Sequence, residues 1–260
     1  MISAAEARVE ARKQWNANPC GFFPHELDPT FFRRVEAERY RQQYWQKSFF
    51  DFEGFADKRV LEIGVGLGTD LKQFARAEAE CHAIDIAGRH LDIAQRNFAA
   101  EGLRVHLLKA DAVNLPYPDR HFDCVYSFGV LHHIPDVERA LAEAHRVLKP
   151  GGVLQTAVYN RYSLAALAIF AKALLGGSLF RLGPAGILAR NETGADGSDI
   201  KPYVRLYGAR EWRLLVERFG FQAEAVGPQQ VNFERQRWMN VFRPFDRLVG
   251  WYVAGRFVRR

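Results

Sequence analysis

The chain has 260 residues, 48% apolar and 25% charged, which excludes a disordered or collagen-like protein and leaves room for one domain with a substantial core. Its three cysteines, Cys20, Cys81 and Cys124, form no Cys-x-x-Cys pair, so neither a disulfide framework nor a thiolate zinc site is expected, and a reducing, cytoplasmic setting is. The formal net charge of +6 is concentrated late in the chain, where Lys201 to Arg260 holds 12 Lys/Arg against 5 Asp/Glu, a balance that tolerates an anionic partner without demanding one.

The opening Met1-Ile2-Ser3-Ala4-Ala5-Glu6 lacks a basic stretch followed by an apolar one, so no signal peptide is read. Residues 1–57 read as helical, with breaks at Asn18-Pro19-Cys20-Gly21 and Asp28-Pro29. Between Phe31 and Phe50, the residues Phe32, Val35, Tyr40 and Tyr44 have helix-face spacing. From Arg59 the pattern alternates. Strands are predicted at Val60–Ile63, Cys81–Ile84, Val105–Leu108, Phe122–Ser127 and Val153–Tyr159, and helices at Thr69–Ala79, His90–Ala100 and Pro135–Leu148, with Lys149-Pro150-Gly151-Gly152 as a turn. Such alternation is the signature of an α/β protein, a doubly wound sheet with helices on both faces.

Beyond Tyr159 the pattern changes. Ser163–Leu188 is an apolar, glycine-broken helical insertion, and Asn191–Ser198 is a polar loop. A helix is predicted at Tyr207–Phe219 and strands at Phe221–Val226 and Gly250–Val258. The apolar run from Leu164 falls short of the ~20 residues that a membrane-spanning helix needs. It reads as core, as a roof over a pocket, or as a peripheral membrane contact. The chain divides into a helical extension (1–57), a ligand-binding core (58–160), a lid or substrate insertion (161–207) and a segment completing the sheet (208–260).

The chemistry concentrates after the first strand. Gly64, Gly66 and Gly68 recur at every second position before a helix, where a backbone free of Cβ atoms turns sharply and the helix N-terminus favours an anionic group. The dinucleotide pattern G-x-G-x-x-G would place glycine at 69, which is Thr69, so the spacing is G-x-G-x-G, with Glu62 two residues ahead. Asp85 closes the next strand, where a carboxylate can accept both hydroxyls of a ribose. Lys109-Ala110-Asp111-Ala112 follows the third strand, and the fourth delivers Ser127 to the sheet's C-terminal edge ahead of Gly129-Val130-Leu131-His132-His133.

Together with Leu148-Lys149-Pro150-Gly151-Gly152, these elements, roughly residues 59–159, resemble the class I S-adenosylmethionine-dependent methyltransferases, and the Phe122–Asp136 stretch is similar to the quinone-pathway and related small-molecule members. The resemblance implies a Rossmann-like sheet, mostly parallel with an antiparallel last strand, and S-adenosyl-L-methionine as cofactor. It implies that Glu62 approaches the methionine amino group, that Gly64, Gly66 and Gly68 line the methionine and ribose, that Asp85 with Ile86 holds the ribose, that Asp111 and Ala112 meet the adenine, and that Ser127 lines the site. An Arg or Tyr upstream commonly meets the methionine carboxylate in the family; Arg39 is the candidate, with Tyr40 behind it.

The acceptor is less constrained. Methyl transfer is an in-line displacement in which the protein holds the nucleophile ~3 Å from the methyl carbon. His132 and Tyr159 are candidate catalytic residues, and Trp15, Asn16, Asn160 and Tyr207 are candidate acceptor contacts. Trp15 to Gly21 reads either as a closing lid or as an exposed break. No metal is expected, since adjacent histidines such as His132 and His133 rarely point at one ion. The expected partner is a small methyl acceptor, possessing O, N or S as the receiving atom and partly lipophilic, with the protein a monomer or homodimer. Two alternatives stay open: an RNA methyltransferase using the basic C-terminal region, and a non-catalytic cofactor-binding module. The fourth motif lacks the Asn/Asp-Pro-Pro-Tyr type sequence of many amino-methylating enzymes, and no RNA-binding module is recognisable, so nucleic acid is the less expected partner.

Overall fold

The computed structural model describes residues 4–17, 27–193, 202–231 and 237–260. The Asn18–Gly21 break and most of the Asn191–Ser198 loop lie outside the described residues. Seven strands form one sheet in the order β3-β2-β1-β4-β5-β7-β6. Strands β1 (Arg59–Ile63), β2 (Glu80–Asp85), β3 (Val105–Lys109), β4 (Phe122–Phe128) and β5 (Leu148–Tyr159) run parallel. Strand β7 (Tyr252–Arg259) is antiparallel to both β5 and β6 (Phe221–Gln229) and lies between them. The expected mostly parallel, Rossmann-like sheet with an antiparallel last strand is the fold observed.

The central strands β1, β2 and β4 are mostly buried because both faces of the sheet are covered there. Along β4, Cys124, Tyr126 and Phe128 join one core cluster while Phe122 and Val125 join the other. Helix α6 (Val137–Val147) buries Val137, Ala140, Leu141, Ala144 and Val147, the one-face spacing of an amphipathic helix. The Asp136 side chain caps it by accepting from Arg139 N–H. Pro135 therefore precedes the cap and is not in the first turn, as the sequence suggests. Helix α5 (Gly88–Ala99) covers β2 and β3.

Other boundaries differ from the sequence reading. The helix after the glycines, α4, is only Leu71–Arg76, because the loop itself takes up the preceding residues. Lys149–Gly152 is not a separate turn: it lies within the 12-residue β5, whose register against β4 shifts between Phe122 and Cys124 and where Gly151 takes φ +74°. The apolar insertion is two helices, α7 (Leu164–Leu175) and α8 (Ser178–Thr193), the second kinked at Gly183 (φ +66°) before Pro184. Three further helices precede the sheet: α1 (Ala4–Ala17), α2 (Pro29–Gln42) and α3 (Gln46–Phe49). Helix α9 (Ala209–Glu217) precedes β6, and α10 (Asp246–Val249) precedes β7.

Strand order reverses direction between β1 and β4. In open α/β sheets, the crevice at that switch point, beyond the C-terminal strand ends, is where ligands bind. The glycine loop, Asp85 and Phe128 all sit at this edge.

Candidate active site

The loop after β1 is held by its neighbours. Gly64 and Val65 N–H donate to Ile84 O at 2.8 and 3.2 Å, pulling the turn over the end of β2. Gly64, Gly66 and Gly68 take φ of +79°, +51° and +76°, a region other residues rarely adopt. A Cβ on Gly64 would lie 2.3 Å from Val130 Cγ2, and one on Gly68 would lie 2.8 Å from the Phe98 ring. The two glycines are fixed by close packing on both sides as well as by the turn.

Three carboxylates crowd beneath the loop. Glu62 is buried; Leu71 N–H reaches one oxygen, and Oε2 has no hydrogen-bond partner. Burial pushes its carboxyl well above the usual range, and the charge of Asp70 pushes it further. Asp70, also buried, accepts from Tyr40 OH at 3.1 Å, Gln46 Nε2 at 2.8 Å and Tyr126 OH at 3.0 Å. It is also gripped by Arg39 through Nε at 3.2 Å and through Nη2. Arg39 lies over the Phe128 ring, 4.2 Å from its centroid. The guanidinium offered in sequence to a cofactor carboxylate is thus engaged by a protein carboxylate, and Tyr40 shares the same partner. Asp70 was not read from the sequence. It stands at the N-cap of α4, yet its side chain makes no capping hydrogen bond.

Asp85, the third carboxylate, accepts from Gly66 N–H at 3.1 Å and Ala87 N–H at 2.9 Å, and His90 Nδ1 lies 3.0 Å from Oδ2. Ile86 follows it at the mouth of the crevice, half-buried. Asp111 Oδ1 accepts from Val113 N–H at 3.1 Å and Oδ2 faces Arg8 at 3.4 Å, with Ala112 buried beside it. Ser127 is fully buried and donates to Ile63 O at 3.1 Å. It braces the strand under the loop instead of lining the crevice, a correction to its expected cofactor contact.

Helix α1 crosses this region. Trp15 sets its ring against His90 (6.2 Å between centroids) and edge-on against His133 (5.4 Å), and Arg8 reaches Asp111. Asn16 spends both ends of its amide on structure: Nδ2 donates to Arg12 O at 2.7 Å and Oδ1 accepts from Arg89 N–H at 3.2 Å. It therefore anchors α1 to α5. Pro19-Cys20-Gly21, the rest of the expected lid, lie outside the described residues.

Around the ends of β4 and β5 and the start of β7, aromatic rings cluster. Tyr159 stacks on His132 at 3.8 Å and on Trp251 at 4.4 Å, and Phe128 meets Tyr252 at 4.8 Å and Trp45 at 5.9 Å. Because β7 runs antiparallel, its start lies beside the end of β5, which brings Trp251 and Tyr252 to Tyr159. Sequence reasoning missed them, since that contact depends on strand order. His132 is fully buried, both ring nitrogens lack partners, and burial, with His133 beside it, holds its pKa well below the usual value. The histidine that meets α1 is His133, whose Nδ1 lies 2.9 Å from Tyr203 O. His132, the catalytic candidate read from the sequence, packs behind Tyr159.

Two expected acceptor contacts are structural. Asn160 Nδ2 donates to Gly250 O at 2.7 Å and Oδ1 accepts from Tyr162 N–H at 3.0 Å, fastening the end of β5 to the turn before β7. Tyr207 is fully buried against Trp212 in the opposite core cluster.

Residues 61–156 match a family described as a methyltransferase domain. This segment holds the glycine loop, Asp85 and Asp111. Demethylmenaquinone methyltransferase of Thermus thermophilus is 44% identical over 103 residues, 38% of this chain and 46% of that protein. The ubiquinone/menaquinone biosynthesis C-methyltransferase of Vibrio cholerae is 32% identical over 130 residues, 48% of this chain and 50% of that protein. The chain spans about half the length of the curated relatives it matches. Among solved structures, the 1,6-didemethyltoxoflavin-N1-methyltransferase of Burkholderia thailandensis, with 1,6-didemethyltoxoflavin and S-adenosylhomocysteine bound, shares the fold at TM-score 0.57 and 17% identity, covering 100% of this chain and 91% of that one.

The residues around the glycine loop fit S-adenosylmethionine. S-adenosylmethionine carries an ammonium and a sulfonium charge, and the unpartnered oxygen of buried Glu62, beside Asp70 and Asp85, is an environment that favours added positive charge. Far from this crevice, Glu80, His82 and His106 bring ligand-type atoms within 4.8 Å of one another near the starts of β2 and β3. It is the one such group of three among the described residues, assembled by the register that pairs His82 with His106. A reading confined to neighbours along the chain passes over it. A surface cavity of about 670 Å³ bordered by Lys47, Phe52, Gln73 and Arg76 includes none of the glycine-loop residues.

Proposed function

We propose that this chain transfers the methyl group of S-adenosylmethionine to a small acceptor with a flat, apolar body, such as a hydroquinone or phenol. The observation that carries this reading is the division of the switch-point edge: a carboxylate-rich side that suits a cofactor with ammonium and sulfonium charges, and beside it a cluster of Tyr159, Trp251, Tyr252 and Phe128. Planar rings pack well against such a wall, and burial there excludes water. The relatives named for quinone-pathway C-methylation support the same acceptor class.

The bound cofactor would supply an electrophilic methyl group with its sulfur as leaving group, and the acceptor would enter as its anion, its proton already lost to solvent. The protein's part is positioning. Glu62 would hold the ammonium group and Asp85 the ribose, with Asp111 and Ala112 at the adenine. The stack of His132 behind Tyr159 fixes the tilt of the wall, making His132 a positioning residue. Neutral, it adds no charge to a surface meant for an apolar ring. Trp15, carried by α1, closes the crevice over the ligands, so release of product requires α1 to move.

Incubation with methyl-labelled S-adenosylmethionine and a panel of hydroquinones and phenols should move label into the organic extract. Trp251→Ala should lower kcat/KM for those acceptors about tenfold while leaving S-adenosylhomocysteine affinity unchanged. Label appearing only in RNA, with salt-sensitive binding, would sink this acceptor class. Failure to bind S-adenosylhomocysteine in calorimetry would sink the whole reading.

A further inference from the structure

Helix α6 turns its apolar side chains inward, as a helix packed on a sheet should. Helix α7 does so only in part: Ile169 and Phe170 pack on the core, but other large apolar side chains face out. Its small residues Ala165, Ala166 and Ala173 are buried, whereas Leu167, Leu174 and Leu175 are 66%, 50% and 89% exposed. The pattern continues past the Gly176-Gly177 turn, where Phe180 is 81% exposed. Isolated exposed leucines are unremarkable on a soluble surface, but large apolar residues gathered on one protruding hairpin mark a surface built to be covered.

The charges say by what. From Ser163 to Arg190 there is no Asp or Glu, while Lys172, Arg181 and Arg190 are all exposed. None of the three makes an ion pair among the described residues. Some exposed arginines elsewhere are paired, as Arg76 is with Glu36 and Glu101, while others such as Arg34 and Arg104 make no ion pair among the described residues. A protein partner or a second copy would be expected to bring mixed charge to meet a mixed rim. A purely cationic rim around a purely apolar tip complements an anionic lipid surface. The hairpin is too short to span one: no described helix is long and apolar enough to cross a membrane.

We propose that the α7–α8 hairpin docks this protein on anionic bilayers, with Leu174, Leu175 and Phe180 entering the acyl region and Lys172, Arg181 and Arg190 meeting the lipid headgroups. The base of the hairpin supports this use. Ser163 caps α7 by accepting from Ala166 N–H at 3.0 Å and donates to Asn160 O at 2.9 Å, so α7 springs directly from the end of β5. Ala165, Ala166 and Leu188 join the same core cluster as Phe128, Trp251 and Tyr252. The docking element and the aromatic wall are thus one packed unit, which would place the acceptor side of the crevice next to the lipid. The docking itself stands apart from the acceptor reading, because it is measured without methyl transfer.

The full-length protein is mixed with vesicles of phosphatidylcholine, or of phosphatidylcholine and phosphatidylglycerol in equal parts, and the bound fraction is read by co-sedimentation. Binding to the anionic vesicles is expected, much weaker on phosphatidylcholine alone and reduced by salt. The exposed double variant Leu175→Ser/Phe180→Ser should lose on the order of tenfold or more in vesicle affinity. Lys172→Glu/Arg181→Glu should lose the preference for anionic vesicles. Both variants should bind S-adenosylhomocysteine with unchanged affinity, which shows that they remain folded. Absence of wild-type binding to either vesicle, or full binding by the serine variant, overturns the proposal. So does a dimer that Leu175→Ser/Phe180→Ser dissociates in the absence of vesicle binding, since the face would then be covered by a second copy.

Discussion

The two sides of the crevice are built on opposite principles. Beneath the glycine loop, Glu62, Asp70 and Asp85 are held close together with Arg39 as their main counter-charge, and one carboxylate oxygen lacks a partner. Beside them, His132, Tyr159, Trp251 and Tyr252 pack ring against ring at tilted angles, with no carboxylate in the cluster. The first side is unstable by itself and gains from a cation; the second is a surface whose shape alone selects. A cofactor common to many enzymes suits the first arrangement, and an acceptor that differs between them suits the second.

The largest test of this contrast is the removal of Arg39. Arg39→Ala leaves Asp70 and Glu62 without their guanidinium and should cost about 3–5 kcal/mol of unfolding free energy in urea. A loss below about 1 kcal/mol would show that the hydroxyl and amide donors around Asp70 suffice, and that the charged side is not strained. Next comes Asp85→Ala, expected to weaken S-adenosylhomocysteine binding by about 1–3 kcal/mol in calorimetry. Asn160→Ala reverses the pattern: stability should fall by about 1–2 kcal/mol, from the orphaned Gly250 carbonyl, while cofactor affinity stays the same. A change in KM for acceptor without a change in stability would return Asn160 to the substrate.

The smallest effect is the most diagnostic. The Glu62 carboxyl binds its proton more tightly in the folded state than in the unfolded one. Its contribution to stability is therefore full below the unfolded value near 4.5 and is lost as pH rises through the raised folded value. Glu62→Gln should raise the Tm of the ligand-free protein at neutral pH by about 2–4 °C, for roughly 1 kcal/mol, and flatten that part of the pH dependence. The same change should abolish tight cofactor binding. Wild-type binding should release protons, as the arriving ammonium lowers the Glu62 pKa; calorimetry in buffers of different ionisation enthalpy would detect this. A Tm that falls in Glu62→Gln would contradict the strain assigned to this side.

What could be read in the sequence follows the same divide. Gly64, Gly66, Gly68, Glu62, Asp85 and Asp111 each lie at a strand end or in the loop after one, so chain order and spacing locate them. The parallel sheet followed from the alternation of strand and helix for the same reason. Asn160 and Tyr207 misled because a polar residue near a strand end looks alike whether it faces a ligand or fastens two backbone segments. Trp251, Tyr252 and Asp70 were missed because their partners are more than 20 residues away. Tyr252 meets Tyr159 only through the antiparallel pairing of β7 with β5, and Asp70 meets Arg39 only once α2 packs over the loop. The outward leucines of α7 were visible as apolar residues, but which side they faced was not.

The position of β7 between β5 and β6 has a consequence for folding. Until Tyr252–Arg259 pairs, β5 is a 12-residue edge strand with open N–H and C=O groups and with Val153, Leu154, Ala157 and Val158 along it. Its partner follows more than 90 residues later in the chain, after the α7–α8 hairpin, α9 and β6. Closing so long a loop costs little more free energy than closing a short one, since the entropy grows only with the logarithm of length, but it takes time. During that time the exposed edge can pair with another chain. The yield of native protein should therefore depend on dilution and temperature during refolding far more than its final stability does.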